Sequence, residues 1–548
     1  MGDGSMGMFL NSIVPFESYK DIARTRFFVD KTPMIDEILS SVILDGQKYL
    51  CFTRPRRFGK SVMANMIGAF FERSAEGKDV FGSLKIAGSD NYQNHLNRHD
   101  IIYIDFSRMP RNCNSYEYYI SRIQDGINKD LQEAFPELSL SDEWAVWDNL
   151  QFIFEKLKAR FIFVIDEWDA IFHKDFITEA HRKKYTEFLR NLLKEQGYVE
   201  FVYMTGVLPI AKYSDGSELN MFQEYSIATR VKFCEYFGFL DSEVDDLYGR
   251  YLKTVRNPQI SRDDLRSWYD GYYTKGGERV YNPRSVICAL TDNELANYWT
   301  SSGTYDSVFS YIKDNISKVQ DDITVLYAGG RVPSDIQEYA ASSMRLETKD
   351  EIYSSMVVYG LLTYKDGAVS IPNRELMDSF SVMMKRERSL GYIYNLANAS
   401  RKMLSATLSG DTETMADILK LAHDTESPVL SYNSEIELAA VVNLVYLAAR
   451  DRYRVEREDK AGEGYVDFIF YPERRSEDGI ILELKVDDTA EHAIRQIRER
   501  NYALRFTGKL GEKPKYTGRI LAVGISYSRK TKEHFCKVEV LSPVSNNP

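Results

Sequence analysis

Three stretches of this 548-residue chain hold side chains of the kind that handle phosphate. The first is Arg54-Pro55-Arg56-Arg57-Phe58-Gly59-Lys60-Ser61. It follows the run KYLCFT (48–53) and opens a helical stripe of Val62, Met63, Met66, Ile67, Phe70 and Phe71. A turn from strand to helix aims backbone N–H groups and a helix N-terminus at an anion. In that setting Lys60 reaches terminal phosphate oxygens and Ser61 ligates magnesium, while Arg56, Arg57, Phe58 and Gly59 complete the cradle. This is a Walker A context, and ATP with Mg2+ is the expected ligand. The general motif GxxxxGK[ST] has glycine where this chain has Arg54, so the textual match is incomplete. A bare GKS is an exposed turn; the flanking strand and helix decide for phosphate binding.

The second stretch is FIFVIDEWD (161–169). An apolar strand ending in Asp166-Glu167 delivers one carboxylate to magnesium and a second beside the attacking water. Asp166 takes the magnesium side and Glu167 the general base, with Asp169 in reserve. The competing reading is that these acids cap a helix beginning at Trp168. Thr205 closes FVYMTG at a strand's carboxyl end, where it either senses the γ-phosphate or is structural. For an arginine finger, Arg54, Arg56, Arg57 and Arg230 all remain open.

The third stretch lies near the other end. Asp467 sits in YVDFIFYP and Glu483-Leu484-Lys485 in GIILELKV, separated by a turn around Asp478-Gly479. Phosphodiester cleavage needs carboxylates at strand ends to hold magnesium and a cation beside them. Residues two apart on a strand share a face, so Glu483 and Lys485 can join Asp467 from the neighbouring strand. A lone ExK is usually a solvated pair worth little, so placement must carry the argument.

The elements that position these residues can be read from periodicity. KYLCFT, IIYIDFS (101–107), FIFVIDE (161–167) and FVYMTGV (201–207) alternate with helical patterns, and several are apolar almost throughout. Strands buried on both faces of a parallel sheet read this way. The expectation over 8–230 is an α/β, doubly wound P-loop domain. From 231 to 420 the spacing is helical with turn signals at Asp270-Gly271 and Asn282-Pro283, giving a mostly helical coupling region. Over 421–548 the order is helix (433–450), RYRVERE, YVDFIFYP, GIILELKV, a charged helix (489–503) and RILAVGISY (519–527), a second, small α/β domain.

Composition bounds the rest. The 44% apolar and 28% charged content is globular, excluding wholesale disorder. The longest apolar stretch, Leu438–Ala449, is interrupted by Asn443 and is shorter than the ~18–20 residues a spanning helix needs. No membrane association is therefore expected. The opening MGDGSMG lacks the basic and apolar regions of a secretory signal, and Cys51, Cys113, Cys234, Cys288 and Cys536 form no CxxC pair. A reducing, cytoplasmic setting is the expectation. The net charge of −11 argues against a whole-surface nucleic-acid binder. Locally, however, residues 495–532 hold eleven Lys or Arg against Glu499 and Glu512. That count makes Arg495 and Arg498 part of an expected phosphate-backbone track, whose affinity would fall steeply with salt; the competing reading is a solvated helix face and loop.

VDKTPMIDEIL (29–39), TRPRRFGKSVMANMIGAFFE (53–72), FVIDEWDAI (163–171), MTGVLPIAKY (204–213) and WYDGYY (268–273) together resemble the AAA-ATPase-like proteins whose P-loop domain is joined to a C-terminal PD-(D/E)XK nuclease-like domain. The resemblance runs from about residue 10 to 540. RPRRFGKS is the usual form of the loop in that family, so Arg54 is what the resemblance expects. It implies a PD-(D/E)XK-like reading of GEGYVDFIFYP…GIILELKV…AIRQIRERNYA, with Gln496 and Tyr502 in the nucleic-acid site. It also puts Glu435, on the helix before the sheet, as a further metal ligand beside Asp467 and Glu483; Glu437 and Glu456 compete for that place. The expected activity is ATP hydrolysis coupled to a magnesium-dependent nuclease acting on nucleic acid, DNA foremost, with homo-oligomeric assembly left open. The alternative is a nucleotide-gated scaffold or signalling ATPase whose nuclease-like domain only binds nucleic acid or a protein.

Overall fold

The computed structural model describes residues 7–73, 78–210, 218–299, 319–327, 329–336, 348–386, 388–390, 392–424, 435–461, 464–506 and 516–541. The chain divides into two compact units. The first comprises Met1–Ser302, Ser334–Gly367 and Pro372–Arg374, and the second Gly303–Pro333, Ala368–Ile371 and Glu375–Pro548. The stretch 231–420, expected as one helical region, is thus shared between the two units.

The first unit is built on a parallel sheet. Its strands are β1 (Tyr49–Thr53), β2 (Asp100–Asp105), β3 (Phe161–Asp166), β4 (Val199–Gly206) and β5 (Gln223–Ser226), in the order β2-β3-β4-β1-β5. Every residue of β3 is buried, as its unbroken apolar run requires. Helix α1 (Lys60–Phe71) follows β1 and lays Met63, Met66, Ile67, Phe70 and Phe71 into a core shared with Leu50, Phe52, Ile162, Val164 and Tyr203. A second cluster, including Leu247, Tyr251, Trp268, Tyr269, Tyr281 and Leu290, fills residues 239–298.

The second unit carries β6 (Tyr453–Ala461), β7 (Gly464–Pro472), β8 (Gly479–Val486), β9 (Ile520–Ser528) and β10 (Glu533–Leu541) in sequential order. All neighbours are antiparallel except β8 and β9, which are parallel. A parallel pair needs a crossover, and helix α4 (Ala490–Glu499) supplies it. Ahead of the sheet come α2 (Tyr392–Ser409) and α3 (Glu435–Val445). The final strand β10 was not expected from the sequence. Among the described residues, no helix is long and apolar enough to cross a membrane.

Candidate phosphate and metal sites

Strand register sets the first site. Phe52 of β1 lies opposite Thr205 of β4, and Ile165 of β3 lies opposite Met204. The loop after Thr53, Thr205 and Asp166 therefore meet at the carboxyl edge of one sheet, where doubly wound folds bind ligands. Within the loop, Arg57 (φ 71°) and Gly59 (φ 87°) adopt left-handed backbone and Gly59 caps α1. Left-handed turns of this kind gather successive N–H groups into an anion-binding concavity.

Lys60 is 4% exposed, and its Nζ donates to the carbonyls of Arg54 and Pro55 at 3.1 Å each. Burial holds its ammonium below the ordinary lysine range, against the pull of Glu167, Asp169 and Asp166. Asp166 is buried, accepts from Thr205 Oγ1 at 2.7 Å and from the Glu167 amide at 3.1 Å, and is also hydrogen-bonded by Ser61. Burial pushes its carboxyl up to about 6, although the Ser61 and Thr205 hydrogen bonds pull it down. Ser61, Asp166 and Thr205 are thus brought together. Glu167 follows with left-handed backbone (φ 52°), a conformation costly for a non-glycine residue and one that clusters at functional sites.

Other expected roles are redistributed. Asp169 is 2% exposed and accepts from the amides of Val207 and Leu208, at 3.1 and 2.8 Å, so it ties the end of β3 to the end of β4. No helix begins at Trp168; a short 3-10 turn covers Ala170–His173. Arg54 is 1% exposed and donates to the carbonyls of Thr53 (2.9 Å) and Tyr225 (2.5 Å), with its guanidinium 4.6 Å from the Phe237 ring. Buried in that way it cannot serve as an arginine finger. Arg57 donates to the Tyr298 carbonyl, Arg56 is half-buried and Arg230 is exposed. The Phe58 side chain is buried against Tyr272, so only its backbone is available to a phosphate.

In the second unit, Asp467 on β7 and Glu483 on β8 converge. The Leu484 amide donates to Asp467 Oδ2 at 2.7 Å, and Lys485 Nζ lies 3.2 Å from Glu483 Oε1. Gln496 on α4 donates to the same Glu483 oxygen. Glu483 is 3% exposed, and its Oε2 is buried with no hydrogen-bond partner among the described residues. Burial, followed by the like charge of Asp467, pushes Glu483 up to about 7, with Lys485 opposing. A buried carboxylate with an unsatisfied oxygen, beside a second, half-buried carboxylate, fits a divalent cation, which would supply the missing positive charge. Glu435 opens α3, and its side chain lies outside the described residues. Glu456, its competitor, is 3.1 Å from Arg454, and Glu437 is half-buried.

The nucleic-acid residues divide. Gln496 is in the site, but Tyr502 is fully buried among Val466, Ile469, Ile494 and Phe506, so its ring is core rather than surface. Arg495 is exposed on α4. Arg498 is held by Glu539 at 2.5 Å. Further along the basic stretch, Arg519 pairs with Asp478 (2.6 Å), Arg529 with Asp487 (2.5 Å) and Arg505 lies 3.9 Å from Glu456. These acids lie outside the 495–532 window, so charge counted along the chain overstated charge in space. Lys509, Lys513 and Lys515 fall outside the described residues.

Comparison with known families agrees with this geometry. A family described as predicted AAA-ATPase, AAA-ATPase-like, matches residues 14–214, and the PD-(D/E)XK nuclease superfamily matches residues 438–533. The chain joins an AAA-ATPase-like domain to a PD-(D/E)XK superfamily domain. A curated relative from Azotobacter chroococcum mcd 1, the uncharacterized protein in the vnfD 5′ region, is 25% identical over 295 residues, 51% of either chain. The chain thus spans about half the length of that relative. Among solved structures, a Walker-type ATPase of Pyrococcus abyssi is 13% identical with a TM-score of 0.34, over 64% of this chain and 94% of that one. The Aeropyrum pernix ORC2 protein, solved as ADPNP–ADP complexes, is 11% identical with a TM-score of 0.30, over 65% and 97%. In the first unit, beyond the matched residues 14–214, the feature assigned no role from the sequence is the packing of Tyr272 against Phe58 of the phosphate loop. In the sequence WYDGYY stood only as one of the stretches that carry the family resemblance.

Proposed function

We propose that the AAA-ATPase-like domain binds and hydrolyses ATP with magnesium, and that the PD-(D/E)XK domain is a magnesium-dependent nuclease acting on DNA. The observation that supports this reading is that each unit holds a buried carboxylate raised by desolvation with a lysine nearby: Asp166 with Lys60 at the end of β3, and Glu483 with Lys485 where the β7–β8 pairing stops. In the first unit the loop N–H groups and Lys60 hold the terminal phosphates, Ser61 and Asp166 hold the metal, Glu167 takes the proton of the attacking water, and Thr205 reports on the γ-phosphate through Asp166. In the second, Asp467 and Glu483 hold the metal with Glu435 as a further ligand, Gln496 fixes Glu483, and Lys485 orients the attacking group. The metal supplies charge neutralisation and a more acidic water.

The test is ATP turnover and plasmid nicking by the full chain. Lys60→Ala is expected to abolish turnover, and Glu167→Gln to lower it about 100-fold or more, as loss of a general base does. Lys485→Ala is expected to abolish nicking while leaving turnover intact. Turnover insensitive to both loop-site changes would remove the assigned ATP site. A second reading, in which the nuclease-like domain only grips a partner, is favoured by one observation: several arginines of the basic 495–532 stretch are already engaged by carboxylates. No magnesium-dependent nicking by the wild type under any nucleotide would decide for it.

A further inference from the structure

The WYDGYY stretch has no part in the chemistry above, yet Tyr272 touches Phe58 in the phosphate loop and bonds Gly360, which packs on Pro55. The Tyr272 ring is 2% exposed and meets Phe58 edge-on, with centroids 4.8 Å apart and planes at 85°. Phe58 is the residue before Gly59-Lys60, and at 1% exposure it has nowhere else to go. Tyr272 is itself fixed from three sides. Its hydroxyl donates to the Gly360 carbonyl at 3.1 Å. The next amide, that of Tyr273, donates to Thr363 Oγ1 at 2.8 Å. The preceding Gly271 has φ 107°, and a Cβ there would lie 1.9 Å from the Pro372 carbonyl oxygen, so only glycine allows this approach.

The loop is held at two further points. A Cβ on Gly360 would come within 2.8 Å of Pro55 Cβ, so the start of the loop rests on Gly360. Arg57 donates to the Tyr298 carbonyl, close to Ala296, whose backbone is clasped by the Tyr269 hydroxyl at 3.0 and 3.2 Å. Pro55, Arg57 and Phe58 are therefore held from outside the sheet by residues 200 or more positions away in the chain. Two left-handed residues, Arg57 and Gly59, flank Phe58, so where its ring is pinned bears on the direction of the N–H groups at Gly59 and Lys60.

We infer that Tyr272 is a positioning residue for the phosphate loop: it acts through Phe58 to hold the Gly59 and Lys60 amides in their phosphate-binding orientation. The inference rests on the reading of residues 54–61 as a nucleotide site. It accounts for a distant aromatic motif in a chain whose loop departs from the general glycine pattern, since here packed side chains supply the rigidity.

The experiment measures affinity for a fluorescent ATP analogue with magnesium, and the thermal midpoint without nucleotide, on the full chain. Tyr272→Phe keeps the ring and is expected to bind within about twofold of wild type. Tyr272→Leu keeps apolar bulk but loses the edge-to-face contact, and is expected to weaken binding roughly threefold to tenfold, the value of one aromatic pair. Phe58→Leu should match it, and the double variant should be no weaker than either single one, because both changes break the same contact. A merely structural role would lower the thermal midpoint and leave affinity at a temperature well below it unchanged. Wild-type affinity in a folded Tyr272→Leu chain, or strictly additive losses in the double variant, would overturn the inference. Lys60→Ala separates the two claims. If it loses binding while Tyr272→Leu does not, the site stands and the positioning role falls; if the wild type binds no nucleotide, both fall.

Discussion

Arg54 stands where the general phosphate-loop motif has glycine, and the structure gives that departure a physical account. Its guanidinium caps the Thr53 and Tyr225 carbonyls and lies over Phe237, so it fastens the loop's first residue to β5 and the segment behind it. Truncating it would leave two acceptors and a cavity in a fully buried place. Arg54→Gly, which restores the general motif, is therefore expected to destabilise the first unit by about 3 kcal/mol or more and to weaken ATP binding. Denaturant unfolding followed by nucleotide titration checks this; unchanged stability with tighter binding would show that the arginine is dispensable. At this scale much of the site was legible. Asp166 ends a strand, Glu483 and Lys485 share a face of another, and Ser61 is in the first turn of α1, because element type and i,i+2 faces follow from local periodicity. The environments of Arg54 and Tyr502 were not legible, since burial depends on chain segments far away in sequence.

Among elements, β1 to β4 announced themselves through runs apolar on both faces, whereas β5, only Gln223–Ser226 with three half-exposed residues, is a strand solely because β1 is there to pair with. A similar long-range tie holds the other end of α1. The amides of Asn97 and His99 donate to Phe70 and Phe71 at the helix end, and His99 Nδ1 lies 3.1 Å from Glu200 on β4. His95 and His99 stack with ring nitrogens 3.0 Å apart, with the Phe71 ring edge-on to both. Burial, then the neighbouring His99, holds His95 below its ordinary value of 6.5. The folded state therefore resists a proton that the unfolded chain accepts. This contribution is fully present above pH 6.5 and is lost as pH falls below it, at no more than about 1.4 kcal/mol per pH unit for one proton. His95→Gln, which does not titrate, should flatten the decline of the first unit's melting temperature between about pH 7.5 and 5.5. An identical slope in both proteins would show that the pair carries no linkage.

For the molecule as a whole, the nuclease-superfamily match at residues 438–533 is smaller than the folded body that contains it. Helix α3 shows why. Leu438, Val441, Val442, Leu444 and Val445 are fully buried on one broad face, and Ala439, Ala440 and Asn443 on the opposite side are only 4–5% exposed, so the helix is enclosed all round. A helix of that kind must be covered on more than one side. The sheet covers part; the rest comes from earlier in the chain. Asn443 Nδ2 donates to the Tyr327 carbonyl at 2.6 Å, and Arg450 lies 5.2 Å from the Tyr327 ring. On α2, Thr407 bonds the Tyr446 hydroxyl at 2.6 Å, and Ser400 Oγ accepts from the Ala448 amide at 3.1 Å. A fragment of residues 421–548, the boundary suggested by periodicity, would lack all of these partners. It would expose the outer stripe of α3 and leave Asn443 and Tyr446 without these hydrogen bonds, a loss of several kcal/mol against the ~5–15 kcal/mol that keeps a domain folded. That fragment, expressed alone, is expected to show no cooperative thermal transition by circular dichroism and to bind a hydrophobic dye at room temperature. A sharp melt like that of the second unit in the full chain would mean that α3 can be covered by the sheet alone, and that the contacts from residues 319–327 and 392–409 are accessory.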